Sequence, residues 1–131
     1  MSIGAAGVHA VLVGTGGFVG AILRYAVSGM VQRTAGSSDF PYGTLAVNVC
    51  GCLAIGVLAG VAETRAVIDA EARMFLLIGL LGSFTTFSTF GYETLALLRD
   101  GALLRAGVNV TLQVGLGLAA AWSGLVFSRL W

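Results

Sequence analysis

The chain reads as an all-α membrane protein: four transmembrane helices in one domain. Three observations carry this. The 131 residues are 57% hydrophobic and only 10% charged, against about 25% charged in a water-soluble domain. Four stretches run on without a formal charge: 2–23, continuing past Arg24 to Gln32, then 40–62, 74–92 and 106–128. Each reaches the roughly 20 apolar residues that cross a bilayer as a helix. In hydrocarbon the backbone must satisfy its own N–H and C=O groups, so runs of this length are helices rather than open strands. The expected spans are 5–32, 40–62, 74–97 and 106–128, in a single domain over 1–131 with both termini on one side.

The first span has no basic region ahead of its apolar run, so it reads as a retained helix rather than a cleaved leader. His9 stands alone near its start, with no partner for metal or proton chemistry. Gly16-x-x-x-Gly20 here and Gly56-x-x-x-Gly60 on the second span are faces that let backbones approach closely. Packing within one chain and pairing between two copies both remain open for them. Pro41 opens the second span, where a missing N–H does no harm. Cys50 and Cys52 point about 200° apart on that helix and cannot join each other; they read as small packing residues.

The third span is the unusual one. Gly79 and Gly82, followed by Ser83, Thr85 and Thr86, weaken the helix. Glycine costs about 1 kcal/mol against alanine in a helix interior, and Ser and Thr hydroxyls offer the backbone competing partners. A break near 82–86 would free carbonyls at membrane depth. Neighbouring hydroxyls could satisfy them in a kinked helix, or a small cation could. Phe84, Phe87 and Phe90 recur every third residue. Phe87 and Phe90, about 60° apart on a helix, read either as packing residues or as electropositive ring edges turned to a small anion.

Polar groups at membrane depth need partners. Asn48 sits near the middle of the second span, and its amide buried alone would cost roughly 2–7 kcal/mol. It either bonds a neighbouring helix or donates to a ligand. Thr44 lies one turn earlier on the same face. Glu93 reads as an interfacial carboxylate or as one held by nearby hydroxyls at the mouth of a pathway. Asn109 and Gln113 share a face of the fourth span, which continues through Gly117 and Ala121 without polar side chains.

The basic residues are seven arginines and the net charge is +1, which leaves no basic face for nucleic acid. The side holding the termini carries Arg65, Arg73 and Arg129; the other carries Arg33, Arg99 and Arg105, with Arg24 if it reaches outward. Short-loop arginines set orientation, and so even a division leaves open one weakly fixed orientation or insertion both ways round. No phosphate-binding G-x-x-x-x-G-K-[ST] loop is present, and no nucleophile–base pair or metal-ligand cluster suggests an enzyme.

Three motifs in order carry a resemblance. Gly20-Ala-Ile-Leu-Arg-Tyr25, Gly43-Thr-Leu-Ala-Val-Asn48 with Gly51, and Gly82-Ser-Phe-Thr-Thr-Phe-Ser-Thr-Phe90 followed by Glu93-Thr94 resemble those of the CrcB/Fluc fluoride channels. The resemblance covers nearly the whole chain. It implies a third helix broken near its middle and an antiparallel, dual-topology homodimer in the inner (plasma) membrane of the cell, with two fluoride pathways. It further implies a central structural sodium ion held by the backbone carbonyls of Gly82 and Thr85. Phe87 and Phe90 would be the ring-edge contacts, Asn48 an amide donor to the ion, and Ser88 and Thr89 hydroxyl donors nearby. Arg24 would line a vestibule and Glu93 would match the family's glutamate. Thr44, Asn109 and Gln113 complete the candidate pathway. The partners expected are fluoride, lipid and a second copy of the chain. A rival reading is a proton-coupled exporter of the small multidrug-resistance type, but such proteins need a carboxylate within the first helix, and none is there. A non-transporting scaffold would explain the glycines and not the buried polar groups.

Overall fold

Apolar length turns into four helical spans in the computed structural model, which describes residues 3–36, 38–65 and 68–130, with side chains for 6–36, 38–63 and 68–130. α1 covers Ile3–Thr34 and α2 covers Tyr42–Arg65. The third span, Ala70–Arg99, is composite. It runs as α3 (Ala70–Arg73), a π-helical segment (Met74–Leu81), α4 (Gly82–Phe84) and α5 (Phe87–Arg99). α6 covers Leu103–Ser128. All four spans are long and apolar enough to cross a membrane, and the described residues include no strand.

Local chemistry sets the ends. Asp69 caps α3, its Oδ1 accepting from the Ala72 N–H at 2.7 Å, which starts the third span a turn before the expected residue 74. α5 ends in a left-handed glycine: Gly101 has φ 73°. There the Ala102 N–H reaches Leu97 O at 2.9 Å and the Gly101 N–H reaches Leu98 O at 3.1 Å, the paired closure that glycine permits. Gln32 ties α1 to the start of α2. Its Nε2 donates to Ser38 O (3.0 Å) and Phe40 O (3.1 Å), while its Oε1 accepts from the Gly43 N–H at 3.1 Å.

The bundle is built from two pairs of parallel helices. α1 lies along the π segment, and α2 lies along α6. A Cβ on Gly16 or Gly20 would strike the carbonyls of Phe75 or Leu80; one on Gly56 or Gly60 would strike Ala121 O or Ser128 Oγ. Both small-residue faces therefore serve packing inside one chain. Hydrocarbon tails exert no hydrophobic drive to pull helices together, so close backbone contact and hydrogen bonds carry the association. Salt bridges of 3.2 Å join the two ends of the α2–α6 pair, Arg105 to Asp39 and Arg129 to Glu63. Both are exposed and contribute little. Phe18, Leu104, Leu118 and Trp122 face outward, as lipid contact requires. Cys50 and Cys52 are free thiols.

Because the Gly56 face meets backbone, it tolerates no enlargement. Gly56→Ala is expected to destabilise the protein by about 1–3 kcal/mol through overpacking. Gly7→Ala, where nothing lies within 4 Å, is expected to be neutral or slightly stabilising. Thermal unfolding of the two variants in detergent makes the comparison.

Candidate functional site

Between α4 and α5 two residues leave the helix. Thr85 (φ −86°, ψ 161°) and Thr86 (φ −154°, ψ 116°) are extended. Such a pair at membrane depth would strand backbone groups, and the Asn48 side chain, reaching across from α2, takes up both of Thr86's. The Thr86 N–H donates to Asn48 Oδ1 at 2.9 Å, and Asn48 Nδ2 donates to Thr86 O at 3.1 Å. The other Nδ2 proton goes to Gln113 Oε1 on α6 at 3.0 Å. Asn48 thus bonds both the third span and α6 within one chain.

This grip diverts hydrogen bonds. In a continuous helix the Thr86 N–H would serve Gly82 O, and the Thr89 N–H would serve Thr85 O. Here the first goes to Asn48, and the second goes to Thr86 Oγ1 at 3.2 Å as an N-cap for α5. Gly82 O and Thr85 O thus lose the donors a helix would supply. Gly51 makes room for the turn: a Cβ there would strike the Thr85 methyl. The chain consequently presents a carbonyl-rich helix end at α4 and an N–H-rich end at α5. The first favours a cation and the second an anion.

Phe87 and Phe90 open α5. Their rings meet edge to face, with centroids 5.4 Å apart and planes at 63°. Phe90 is buried and Phe87 is 83% exposed. Both line a cavity of about 370 Å³ with Asn48, Cys52, Thr86 and Gln113. A second cavity of about 290 Å³ lies toward the loop side, lined by Ser28, Gln32, Asp39, Thr44, Glu93 and Asp100 among others. Thr44 Oγ1 donates to Glu93 Oε1 at 2.7 Å. Asn109, fully buried, donates from Nδ2 to Thr94 Oγ1 at 2.9 Å. One helical turn of α2, about 6 Å from Thr44 to Asn48, separates the two cavities.

The structure therefore gathers Thr44, Asn48, Phe87, Phe90, Glu93, Asn109 and Gln113 into a polar seam between α2, α5 and α6. Ser88 and Thr89 lie beside it, facing Thr86 Oγ1 at 3.4 Å and 2.9 Å. Arg24 stands apart: it is half-buried on α1 and lines neither of these cavities. Sequence reasoning missed Thr86 and Thr94 as working members of the seam. Thr86 carried a signal, a threonine directly before a helix with another three residues on, which is N-cap spacing. Thr94 carried none visible without the packing of α5 on α6.

Removing Asn48 would leave the Thr86 N–H and C=O and Gln113 Oε1 without these partners. Asn48→Leu is expected to lower stability by about 2–5 kcal/mol, since orphaned buried groups lose their full solvation. Thermal unfolding in detergent measures it, and Thr111→Val, which loses only a bond back to Gly107 O on the exposed face of α6, is expected to shift little.

The motifs and this geometry have relatives. Residues 11–125 match the family model described as CrcB-like protein, Camphor Resistance (CrcB). A protein of Nitratidesulfovibrio vulgaris named fluoride-specific ion channel FluC is 47% identical over 92% of this chain and 96% of its own. Proteins of the same name are 46% identical in Geobacter sulfurreducens, over 86% of this chain and 90% of theirs, and 41% identical in Rhizobium etli, over 93% and 97%. With its four spans and three motifs, this chain is a multi-pass membrane protein that belongs to the CrcB-like family.

Proposed function

We propose that the chain is a fluoride-selective ion channel, not an enzyme, that lets the anion leave the cell passively. The observation that carries this is the polar seam lying between two cavities inside an otherwise apolar bundle, with the Phe87–Phe90 pair at its inner end. The name shared by the relatives supplies the identity of the ion.

The chemistry suits a small, strongly hydrated anion. Its water must be replaced by several weak donors that also let it go. Amide and hydroxyl groups, the N-terminal end of α5 and the positive ring edges of two phenyls offer such contacts without a fixed cationic trap. Hydrogen fluoride crosses the membrane as a neutral acid and dissociates inside; the membrane potential then drives the anion outward, so no fuel is needed.

Two copies inserted in opposite orientations complete the reading. The even distribution of arginines between the two sides supports dual insertion. An inverted partner would wall the open side of the larger cavity and give two pathways per dimer. The third helix breaks at Thr85 and Thr86, and the two breaks would face each other across the dimer. A structural sodium ion fits the carbonyls of Gly82 and Thr85, since oxygen ligands deprived of helical donors suit a hard cation. That ion would neutralise the exposed carbonyl ends and lock the two chains together. The membrane is the cell's inner one, where clearance of cytoplasmic fluoride is required.

Purified protein in liposomes is expected to release fluoride rapidly and chloride negligibly. Phe87→Ile, which removes a ring edge, is expected to slow release by about tenfold or more, the effect of about 1.4 kcal/mol at the constriction. Chloride release equal to fluoride release, or proton-coupled uptake of an organic cation, would contradict the proposal; the second result is the one a small multidrug exporter would give.

A further inference from the structure

Cys52 is a thiol for which neither the packing nor the proposed pathway has a use. It stands on α2 one turn beyond Asn48, as Asn48 stands one turn beyond Thr44. Opposite it on α6 is Gly117, where a Cβ would come within 3.4 Å of Cys52 Sγ. With no side chain at Gly117 to cover it, the half-buried free thiol lines the cavity of about 370 Å³ that holds Phe87 and Phe90. Cys50, two residues earlier, is exposed and does not line this cavity.

A second group on the same wall lacks a partner. Gln113, one turn from Gly117, is 9% exposed and lines the cavity, and its Nε2 is shut off from solvent with no hydrogen bond among the described residues. A thiol sulfur takes soft metals, and an amide N–H donates to a halide. Ile55, Leu77, Leu81 and Val114 make much of the remaining wall apolar, which favours a neutral species over a charged one. A mercuric halide combines a soft metal, a halide and no net charge. Resting on the channel reading above, we propose that Cys52 is a soft-metal site, that it takes a neutral thiophilic metal halide such as mercuric chloride, and that its occupation blocks the release of fluoride.

The step is a ligand exchange. The Cys52 S–H bond and one Hg–Cl bond break, and an S–Hg bond forms. The thiol proton and the displaced chloride leave for the water, as metal binding to a thiol requires. Neither sulfur nor mercury changes oxidation state. The second chloride stays on the metal, inside the cavity that Gln113 lines. Among the described residues no cluster of three His, Cys, Asp or Glu could hold a metal, and none is needed, because mercury bound to one thiolate and one halide is satisfied by two ligands in line. The block is steric: the bound group fills space beside the phenyl pair, where the proposed pathway is narrow.

The test is fluoride release from liposomes with and without mercuric chloride, each protein compared with its own untreated release. In the parent the reagent is expected to slow release by about tenfold or more, and an excess of a small thiol to restore it. Cys52→Ser, which has no sulfur, is expected to escape the block, and Cys50→Ser to be blocked like the parent. Should Cys52→Ser fail to assemble, Cys52→Ala removes the sulfur without adding a polar group. A parent that is not blocked, a block that persists without the Cys52 sulfur, or one that disappears in Cys50→Ser overturns the inference and leaves the channel reading standing. The mass of the folded protein separates the two readings. Cys50→Ser is expected to carry a mercury adduct that the double variant Cys50→Ser, Cys52→Ser lacks, and its absence overturns the site whatever the release shows. A parent chain that releases no fluoride overturns the channel reading and the block with it, while the adduct still decides the site.

Discussion

Asn48 grips both backbone groups of Thr86, and the rest of the site hangs on that grip. One side chain on α2 replaces two helical hydrogen bonds on the third span. Without it, an extended pair of residues inside a membrane would leave an N–H and a C=O with no water to turn to. With it, the chain can change direction at Thr85–Thr86, restart as α5 under a Thr86 cap, and set Phe87 and Phe90 at the head of the new helix. The same amide reaches Gln113, so the grip also couples α2 to α6 at the depth of the phenyl pair.

The scaffold exists to bring that amide within reach. α2 and α6 approach closely because Gly56 meets the Ala121 backbone and Gly60 the Ser128 side chain. α1 supports the third span from the other side through Gly16 and Gly20. Thr44 and Asn48 stand one turn apart on α2, and each holds a residue of the third span: Thr44 bonds the Glu93 carboxylate, Asn48 the Thr86 backbone. The polar seam is thus a set of mutually satisfied pairs with a few atoms left over, rather than an open row of donors. Satisfied pairs set the geometry.

Much of this was readable before any coordinates. Absence of charge over four long runs determines the four spans, because the bilayer penalises charge more heavily than anything else in the sequence. Asn48, Thr44, Glu93, Asn109 and Gln113 stood out for the same reason: each is costly in hydrocarbon and must find a partner. Which partner each finds was not readable. Asn48 and Thr86 are separated by 38 residues and Thr44 and Glu93 by 49, and local periodicity carries no information across such distances. The π-helical turns of Met74–Leu81 left no trace in a run of Leu, Ile and Phe, which suits either helix equally. The small-residue faces were visible, but whether they packed within a chain or between chains depended on which helices become neighbours. Gln32, whose three bonds tie α1 to α2, looked like any polar residue near a helix end.

The central claim is that the Asn48 grip opens the third helix so that carbonyls face a cation and phenyl edges face an anion between two inverted copies. Structure determination in lipid nanodiscs containing sodium and fluoride tests it most directly. The account predicts oppositely oriented subunits, the Asn48 amide on the Thr86 backbone, and ion density bounded by the Gly82 and Thr85 carbonyls of both chains. Like-oriented subunits, or a continuous third helix in which the Thr86 N–H returns to Gly82 O, would contradict it.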